Sequence, residues 1–253
     1  MFAAAVTTSA LSSATPNSVN YSDLWYNPAE SGWGVNLAHQ GDVLFGTFFV
    51  YGAGEQAVWY SATFTLQSIG ANGAITYAGD LFQTNGSAQG TAWDPALVKY
   101  RQVGTASLTF GDAAHAVLSY TADGVLVNKE ITRQTFAHNS ILGDYIGSTS
   151  DVTFNCKDPA RNGLHTTDPG AFTIRQQGAD VVIRFPTCTY TGQYTQQGQV
   201  GYIDGIYECT NFAVGAARFH ALQSEKGGIV GTYTGFDKSC EFRGNIGGMR
   251  VFQ

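Results

Sequence analysis

The stretch WYNPAESGWG, from Trp25 to Gly34, holds two tryptophans and one carboxylate. Its Glu30 stands between the two indoles, where a carboxylate could be a buried acid, contact a ligand or cap backbone amides of a turn. Glycoside hydrolysis needs a second carboxylate about 5 to 9 Å away. No partner is visible, because Asp94 after Trp93 starts an Asp-Pro pair that favours a turn. A glycosidase-like hydrolase using Glu30 is therefore an alternative hypothesis, and the amide cap is favoured.

The other reactive residue types lack the spacing that catalysis or metal binding needs. The histidines are isolated, with no H-x-H or H-E-x-x-H pair. The sequence contains no G-x-S-x-G turn and no glycine-rich phosphate loop. Asp204 and Glu208 also lie near aromatic residues, but neither has a visible partner. The sequence therefore predicts no catalytic residue, no metal site and no cofactor. The five histidines are His39, His115, His138, His165 and His220.

All four tryptophans lie in the first half of the chain. Indole rings stack on sugar faces or line apolar pockets, while amide and hydroxyl side chains fix the orientation of a ligand. In a barrel of this size the same rings can simply form the core, so both interpretations stay open. The predicted ligand-binding residues are Trp25, Glu30, Trp33, Trp59 and Trp93.

The four cysteines all lie in the second half, and none forms a C-x-x-C pair. An even count without metal-ligand spacing favours two disulfides and an oxidising compartment, so we predict a secreted, periplasmic or cell-surface protein. A hairpin turning about Gln197-Gly198 would place Cys188 nearly opposite Cys209, given a one-residue bulge. Cys156 would then pair with Cys240. The sequential pairing, 156 with 188 and 209 with 240, stays possible.

Strands must position these residues, because apolar and polar residues alternate with period two and helical periodicity is nearly absent. The corners Gln40-Gly41-Asp42 and Ala122-Asp123-Gly124 supply the positive φ of tight hairpins. The first half predicts strands at 33–39, 43–51, 57–66, 75–82, 100–110, 116–120 and 125–134. The second half predicts strands at 144–148, 171–176, 180–185, 188–196, 201–209, 216–222, 228–233 and 242–252.

The alternation stops at residues 137–140 and restarts at residue 142, which predicts a domain boundary. We predict an all-β chain of two consecutive antiparallel meander or β-barrel domains, an aromatic-rich one at 21–137 and a disulfide-containing barrel at 141–253. Eight strands in the second half suit a small closed barrel. Residues 1–20 are uncharged and rich in Ser, Thr and Ala, and we predict a leader remnant or disordered tail outside the fold.

A repeated glycine and tyrosine pattern distinguishes two faces of the second-half strands. In CTYTGQY, which begins at Cys188, the Cys, Tyr and Gly positions share one face and the Thr and Gln positions the other. GTYTG at 231–235 and GIYEC at 205–209 repeat the pattern. Glycine on the inner face of a curved strand marks a bend or a close approach of two backbones, which favours simple barrel curvature. The alternative is a cavity lined by tyrosine.

The charge content argues against some partners. Only 13% of the residues are charged and the net charge is −6, so the clustered Lys and Arg that nucleic acids require are missing. No run approaches the roughly 18 apolar residues of a membrane-spanning helix. We therefore expect no nucleic-acid partner and no membrane span, and the oligomeric state is left open.

Two parts of the chain resemble known sequence families. The first half resembles a family of secreted proteobacterial β domains with a W-x-N-P-x-E-S-G-W-G element, through LWYNPAESGWGVNL, VLFGTFFVY, WDPALVKYRQVGTASLTF and GVLVNKEITRQTF within 23–136. The second half resembles a Cys-containing domain of the same kind of protein, through CTYTGQYTQQGQ, GYIDGIYECTNF, GIVGTYTG and CEFRGNIGGMR. The resemblance carries over no activity and no catalytic residue.

A wider resemblance is to lipocalin- and avidin-like barrels, which begin with G-x-W and have an Arg on the last strand that packs across the Trp. The first half has Asp23-Leu24-Trp25 and Arg133, with Asp in place of Gly. The second half has Gly143-Asp144-Tyr145 and Arg250, with Tyr in place of Trp. The resemblance implies that each arginine lies over the ring of its own half, which would help to close each barrel.

The predicted function is that of a secreted, non-catalytic binding protein. Its ligand would be a small apolar molecule or a carbohydrate in a barrel or curved-sheet site, because aromatic residues cluster and catalytic motifs are missing. One alternative is a structural or adhesion module of the cell surface without a ligand cavity. The other is the glycosidase-like hydrolase that uses Glu30.

Overall fold

The computed structural model describes residues 19–71, 73–211 and 213–251. These residues form sixteen strands and two single-turn 3-10 helices, with no α-helix among them. The strands close into two consecutive eight-stranded antiparallel barrels, which confirms the predicted fold class. No helix in this part of the chain has both the length and the apolar character needed to cross a membrane.

The first barrel is a meander in which each strand pairs with its neighbour in sequence and β1 also pairs with β8. Its strands are β1 (Asp23–Tyr26), β2 (Gly34–Gln40), β3 (Val43–Tyr51), β4 (Ala57–Ile69), β5 (Ile75–Asn85), β6 (Lys99–Phe110), β7 (His115–Ala122) and β8 (Val125–Arg133). Gly41, at φ +58°, and Asp123, at φ +50°, lie in the predicted hairpin corners.

The second barrel follows the same order and closes between β16 and β9. Its strands are β9 (Gly143–Phe154), β10 (His165–Gln177), β11 (Asp180–Arg184), β12 (Cys188–Gln197), β13 (Val200–Cys209), β14 (Val214–Glu225), β15 (Gly228–Asp237) and β16 (Glu241–Arg250). The predicted boundary at 137–140 falls in the segment between β8 and β9, which holds no strand.

The observed strands differ clearly from the predicted ones at three places. β1 was not predicted, because its four residues are too few to show a period of two. β9 and β10 were predicted short, at 144–148 and 171–176, because their polar halves and Pro169 break the alternation. The two strands nevertheless pair with each other continuously from Gly143 to Val152. Pairing in the closed sheet outweighs the weak local preference of these residues.

The end of the predicted tail belongs to the fold. Val19 packs against the core of the first barrel, and the backbone carbonyl of Asn20 accepts a hydrogen bond from Arg133. The prediction that 1–20 lies outside the fold is therefore wrong for these two residues, since the buried guanidinium needs carbonyl acceptors from the segment before β1. The rest of the predicted tail, residues 1–18, lies outside the described residues.

Large side chains fill the interior of the first barrel. The inward-facing positions form one contiguous buried cluster, in which rings from different strands touch. Tyr21 stacks on Phe110 with ring centroids 3.7 Å apart, and the edge of Trp25 meets the same Phe110 ring at 5.3 Å. The largest fully buried side chains of this cluster are Trp25, Leu44, Phe48, Phe64, Tyr77, Leu81, Leu108, Phe110 and Leu118.

In each barrel an arginine of the last strand lies over an aromatic ring of the first strand. The guanidinium carbon of Arg133 is 4.9 Å from the centroid of the Trp25 ring, and that of Arg250 is 5.3 Å from Tyr145. Both predicted contacts are confirmed. The negative face of the ring attracts the cation electrostatically. Each guanidinium also donates to a backbone carbonyl of the segment before the first strand. The two arginines therefore close one end of each barrel.

The disulfides join Cys188 to Cys209 and Cys156 to Cys240, as predicted. The predicted bulge in the β12–β13 hairpin is wrong, because the register is regular and Cys188 lies directly opposite Cys209. The turn consists of Gly198 and Gln199, one position later than predicted. The other disulfide ties the loop after β9 to the residue before β16.

The turn of the β12–β13 hairpin also contacts the first barrel. Gly198 has φ +59° and is so close to Asp23 that a Cβ atom would overlap its carboxylate, so only glycine fits. The backbone N–H of Gln199 donates to Oδ2 of Asp23 at 2.9 Å, and that of Gly198 donates to Oγ1 of Thr135 at 2.6 Å. Asp23 is the buried ion-pair partner of Arg133, so this contact connects the second barrel to the closed end of the first.

Candidate functional site

The second barrel contains a cavity of about 420 Å³. It lies toward the end where β9 and β13 finish and β10, β12 and β16 begin, opposite the end closed by Arg250. Its lining combines aromatic rings, threonines, two carboxylates and one disulfide. The lining residues are Thr149, Asp151, Thr166, Thr167, Asp168, Phe185, Thr187, Cys188, Tyr190, Tyr207, Cys209, Ala217, Phe219, Tyr233 and Phe242.

Strand pairing sets the positions of the two carboxylates. Asp151 on β9 is opposite Thr166 on β10, and Asp168 on β10 is opposite Thr149 on β9. Both aspartates line the cavity and are diagonal neighbours in the sheet. Diagonal neighbours lie about 7 to 8 Å apart, so one small ligand can reach both carboxylates.

Gly244 allows a tyrosine to reach Asp151. This glycine on β16 is opposite Asp151 on one side and Tyr233 of β15 on the other. A Cβ at this position would lie 2.8 Å from the ring of Tyr233 and 2.7 Å from Cβ of Asp151. Because the side chain is absent, the ring crosses the glycine and its hydroxyl donates to Oδ2 of Asp151 at 3.0 Å. The glycine therefore creates the hydrogen-bonded pair in the cavity wall.

Five rings form a continuous aromatic belt around the cavity, made of Tyr190, Tyr207, Phe219, Tyr233 and Phe242. The ring centroids of neighbours along this series, from Tyr190 to Phe219, Tyr233, Phe242 and Tyr207, are 4.9, 5.4, 6.1 and 5.8 Å apart. Side chains at glycine positions would collide with two of these rings, since a Cβ at Gly235 overlaps Phe242 and one at Gly215 lies 2.7 Å from the hydroxyl of Tyr207. The glycine pattern of the sequence thus makes room for the aromatic belt.

The hydroxyls of the belt differ in their surroundings. Tyr190 donates to the backbone carbonyls of Ala217 at 2.7 Å and Ile203 at 3.1 Å, so it offers a ligand mainly its ring. Burial raises the pKa of Tyr207 to about 12, with a smaller contribution from Asp237. Tyr207 is therefore a neutral hydroxyl at physiological pH.

Asp151 is a partly buried carboxylate without an ion-pair partner among the described residues. Burial raises its pKa above the usual range, and the hydrogen bond from Tyr233 and the charge of His165 oppose that rise. Desolvation disfavours a charged carboxylate unless a cation or several donors compensate for the lost water. The cavity therefore holds a negative charge that its own wall compensates only in part.

The rim of the cavity is polar and fixed by a cross-link. The hydroxyl of Thr187 donates to Oδ2 of Asp168 at 3.3 Å. The disulfide between Cys188 and Cys209 joins the start of β12 to the end of β13 beside it. The cross-link therefore lies at the entrance of the cavity.

The structure places the predicted ligand-binding residues in the first barrel, away from this cavity. Trp25 is fully buried, and its indole N–H donates to the carbonyl of Tyr21 at 3.0 Å. It belongs to the core and has no surface for a ligand, because it fills the barrel beneath Arg133. Trp59 and Trp93 are 48% and 70% exposed, on the outer face of β4 and in the β5–β6 loop.

Glu30 is neither a buried acid nor an amide cap. Its carboxylate accepts hydrogen bonds from the indole N–H of Trp33 at 3.1 Å and from the ammonium of Lys129 at 2.9 Å. Lys129 holds the pKa of Glu30 below its usual value, which is the opposite of what a general acid requires. In the same turn the backbone N–H of Ala29 donates to the side-chain oxygen of Asn27 at 2.9 Å. Both predictions for Glu30 are corrected because Lys129 of β8 supplies a stronger partner.

Sequence reasoning missed both aspartates of the cavity. Asp151 and Asp168 lie in the parts of β9 and β10 that the alternation did not reveal, and no motif marks either residue. The available signal was the glycine and tyrosine pattern, which left open a cavity lined by tyrosine. That cavity is present, and Tyr190, Tyr207 and Tyr233 all line it.

Among the described residues, no three His, Cys, Asp or Glu side chains lie close enough together to hold a metal ion. Comparison of the chain with protein-family models, with curated proteins and with solved structures gives no match in any of the three. The candidate site is therefore defined by its geometry alone.

Proposed function

We propose that the chain is an exported binding protein that holds a small ligand with an apolar body in the cavity of its second barrel. The aromatic belt around that cavity carries the proposal. The cavity volume of about 420 Å³ lies within the range of about 300 to 1,000 Å³ that small-molecule sites occupy. Thr149, Thr166 and Thr187 supply the few polar contacts that would orient the ligand.

The disulfides support the exported location. Disulfides persist in oxidising compartments and are rare where thiols are kept reduced. All four cysteines are paired, and one pair lies at the cavity rim. We therefore assign the protein to the periplasm, the cell surface or the medium.

Calorimetric titration with 2-naphthol, a neutral aromatic probe, tests the proposed binding. We expect one bound probe per chain. Ala217→Leu extends a side chain into the cavity and should weaken binding by about tenfold or more. Ala216→Leu is the matched control, because the neighbouring position on β14 is not part of the cavity lining, and its affinity should stay within about twofold of wild type.

A second variant protects this test against misfolding. Thr149→Leu adds apolar volume from β9, on the other side of the cavity, and should weaken binding in the same way. Circular dichroism and the urea midpoint confirm folding of each variant. Saturable binding that neither substitution changes would place the probe elsewhere, and the proposal would then be wrong.

The geometry gives the hydrolase alternative based on Glu30 no support, since Lys129 neutralises that carboxylate and lowers its pKa. One observation does favour a second binding candidate. The outer face of β3 and β4 carries exposed aromatic side chains separated by threonine and serine. Such a face suits stacking on the rings of an extended carbohydrate. The exposed rings are Phe45, Phe49, Tyr51 and Trp59.

Sedimentation of the protein with insoluble neutral polysaccharides tests this second candidate. Trp59→Ala should abolish any retention, because Trp59 lies opposite Phe49 at the centre of the exposed strip. Trp93→Ala is the matched control, since Trp93 is an even more exposed tryptophan but belongs to the β5–β6 loop. Equal retention of both variants and wild type would exclude the outer face as the binding surface.

A further inference from the structure

We propose that the ligand of the second-barrel cavity is an organic cation, an ammonium group attached to an apolar body. This inference rests on the proposed function, because it assigns a chemical class to the ligand of the same cavity. It follows from the charge, the rings and the hydrogen bonds of the wall.

The charges of the lining have one sign. Asp151 and Asp168 are the ionisable carboxylates, and the described residues that line the cavity include no Lys, Arg or His. The basic residue that acts on Asp151 is His165, which lies at the start of β10 outside the lining. Arg218 is paired with Asp204 on the exposed outer face of the barrel. A cationic ligand would meet two carboxylates here and no repelling charge.

Asp151 is prepared to accept a ligand donor. The hydroxyl of Tyr233 donates to Oδ2 of this carboxylate. The position of Asp151 is fixed by its strand and by this hydrogen bond, so little ordering is left for the binding step. An ammonium N–H bonded to Oδ1 would supply the missing counter-charge and compensate for the burial of the carboxylate.

The aromatic belt supplies the second element of cation recognition. A cation over a Tyr or Phe face is attracted by the negative potential of the ring, and this attraction grows when water is excluded. Tyr207, Tyr233 and Phe242 are consecutive members of the belt and line the same cavity as Asp151. Aromatic faces recur around bound quaternary ammonium groups. A carboxylate or phosphate ligand would be repelled by the same wall.

Asp168 adds a second carboxylate to the negative wall. Thr187 orients its carboxylate, and Asp168 lies one diagonal step from Asp151 along the β9–β10 ladder. A cation in the cavity would therefore meet both carboxylates on the same part of the wall.

Three probes of nearly equal size test the inference by calorimetric titration near neutral pH. They are 2-phenylethylammonium, 2-phenylethanol and 3-phenylpropanoate, which differ chiefly in charge. We expect the cation to bind about tenfold or more tightly than the neutral alcohol, and the anion to show no binding.

Substitution of Asp151 separates the two proposals. Asp151→Asn should reduce the affinity for 2-phenylethylammonium by about tenfold or more and leave that for 2-phenylethanol within about threefold. Asp204→Asn is the matched control, because it removes the same charge from the outer face of the same barrel. If Asp151→Asn does not fold, Asp168→Asn provides the same comparison with a smaller expected loss.

The outcomes are distinguishable. Equal binding of the alcohol and the cation, unchanged in Asp151→Asn, would overturn the cation assignment and leave the proposed cavity function standing. No binding of any of the three probes or of 2-naphthol would overturn both. If Asp204→Asn lost the preference for the cation as fully as Asp151→Asn, the net charge of the protein would attract the cation. Recognition in the cavity would then not be its cause, and the assignment would be overturned.

Discussion

The two barrels share eight strands, the same order and the same arginine-over-ring closure, yet large side chains fill the first, whereas rings that cross Gly235 and Gly244 line a cavity in the second. In the first barrel Leu44, Phe48 and Phe64 fill the interior from neighbouring strands. In the second, Gly235 and Gly244 stand where such side chains would be. The size and position of the inward-facing side chains, rather than the number of strands, therefore decide whether a barrel of this size is filled.

The closed ends of the barrels also differ in burial. Arg133 has a fully buried side chain that pairs with the nearly buried carboxylate of Asp23 at 3.2 Å. Arg250 has no acidic partner among the described residues, and donates to the hydroxyls of Tyr145 and Ser224 at 3.0 Å. The filled barrel thus depends on a buried ion pair, and the barrel with the cavity depends on cross-links.

The sequence provides separate probes for the two barrels. All four tryptophans lie in the part of the chain that forms the first barrel, and all four cysteines lie in the part that forms the second. Tryptophan fluorescence therefore reports unfolding of the first barrel. Far-ultraviolet circular dichroism reports both barrels, so a transition that it shows and tryptophan fluorescence does not belongs to the second.

The largest expected effect is loss of the disulfide between Cys156 and Cys240. It closes a loop of 84 residues, against 21 for Cys188 and Cys209. In the chain-entropy relation these lengths correspond to about 4.6 and about 3.3 kcal/mol. Replacing each pair by serine and measuring urea unfolding by far-ultraviolet circular dichroism, in the transition that tryptophan fluorescence does not show, should give losses in that order. Equal losses, or a larger loss for the short loop, would contradict the loop-length argument.

Removal of the two arginines should follow next in size. Arg133→Ala leaves the buried carboxylate of Asp23 without its partner, and we expect a loss of about 3 to 5 kcal/mol in the transition followed by tryptophan fluorescence. Arg250→Ala removes hydrogen bonds to neutral groups, and we expect a loss of about 1 to 3 kcal/mol in the transition that far-ultraviolet circular dichroism shows and tryptophan fluorescence does not. Arg175→Ala, which removes an exposed ion pair with Asp144, is the control. Similar losses for Arg133 and Arg250 would show that the buried ion pair does not distinguish the barrels.

A matched pair of enlargements compares the interiors directly. Ala62 of β4 and Ala217 of β14 both face inward and are buried. Ala62→Leu adds atoms to a filled core and should cost about 1 to 3 kcal/mol. Ala217→Leu places the same atoms at the edge of the cavity and should cost less. Urea midpoints of the two variants measure the difference, and an equal cost would mean that the cavity does not accept added side-chain volume.

Much of the fold could be predicted from the sequence, because alternation and turn chemistry are local properties. The β3 strand was predicted with its observed ends, and the hairpin between Cys188 and Cys209 allowed the disulfide partners to be inferred. The arginine contacts were predicted from the lipocalin- and avidin-like resemblance. The interior was harder, since it depends on which strand lies beside which position.

The candidate site shows this limit clearly. Tyr233 meets Asp151 only because Gly244 lies between them across two strand pairings, and the partners are 82 residues apart. Glu30 was misjudged for the same reason. Its partner Lys129 is 99 residues away and becomes its neighbour only when β8 closes onto β1. Local spacing cannot reveal either contact.

The smallest expected effect is on the pH dependence of stability. One partly buried group in each barrel changes stability with pH, and the two changes have opposite directions. Burial lowers the pKa of His39 in the first barrel, opposed by Gly41 and Asp42, below its value of 6.5. Its contribution to stability is therefore present above about pH 6.5 and lost as the pH falls below that value. Burial raises the pKa of Asp151 in the second barrel. The contribution of Asp151 is complete below its unfolded-state pKa near 3.8 and is lost as the pH rises through the raised folded-state value.

Urea unfolding of His39→Gln and Asp151→Asn, at about pH 4 and about pH 7, tests these signs. Asparagine imitates the protonated carboxyl, so the stability of Asp151→Asn relative to wild type should increase from acid to neutral pH. His39→Gln removes the group that must be neutral in the folded state, so its stability relative to wild type should decrease over the same change. His138→Gln and Asp204→Asn are the controls, because they make the same replacements at exposed positions. If the two variants changed in the same direction, burial could not be the cause of both shifts, because it opposes the charged form of each group.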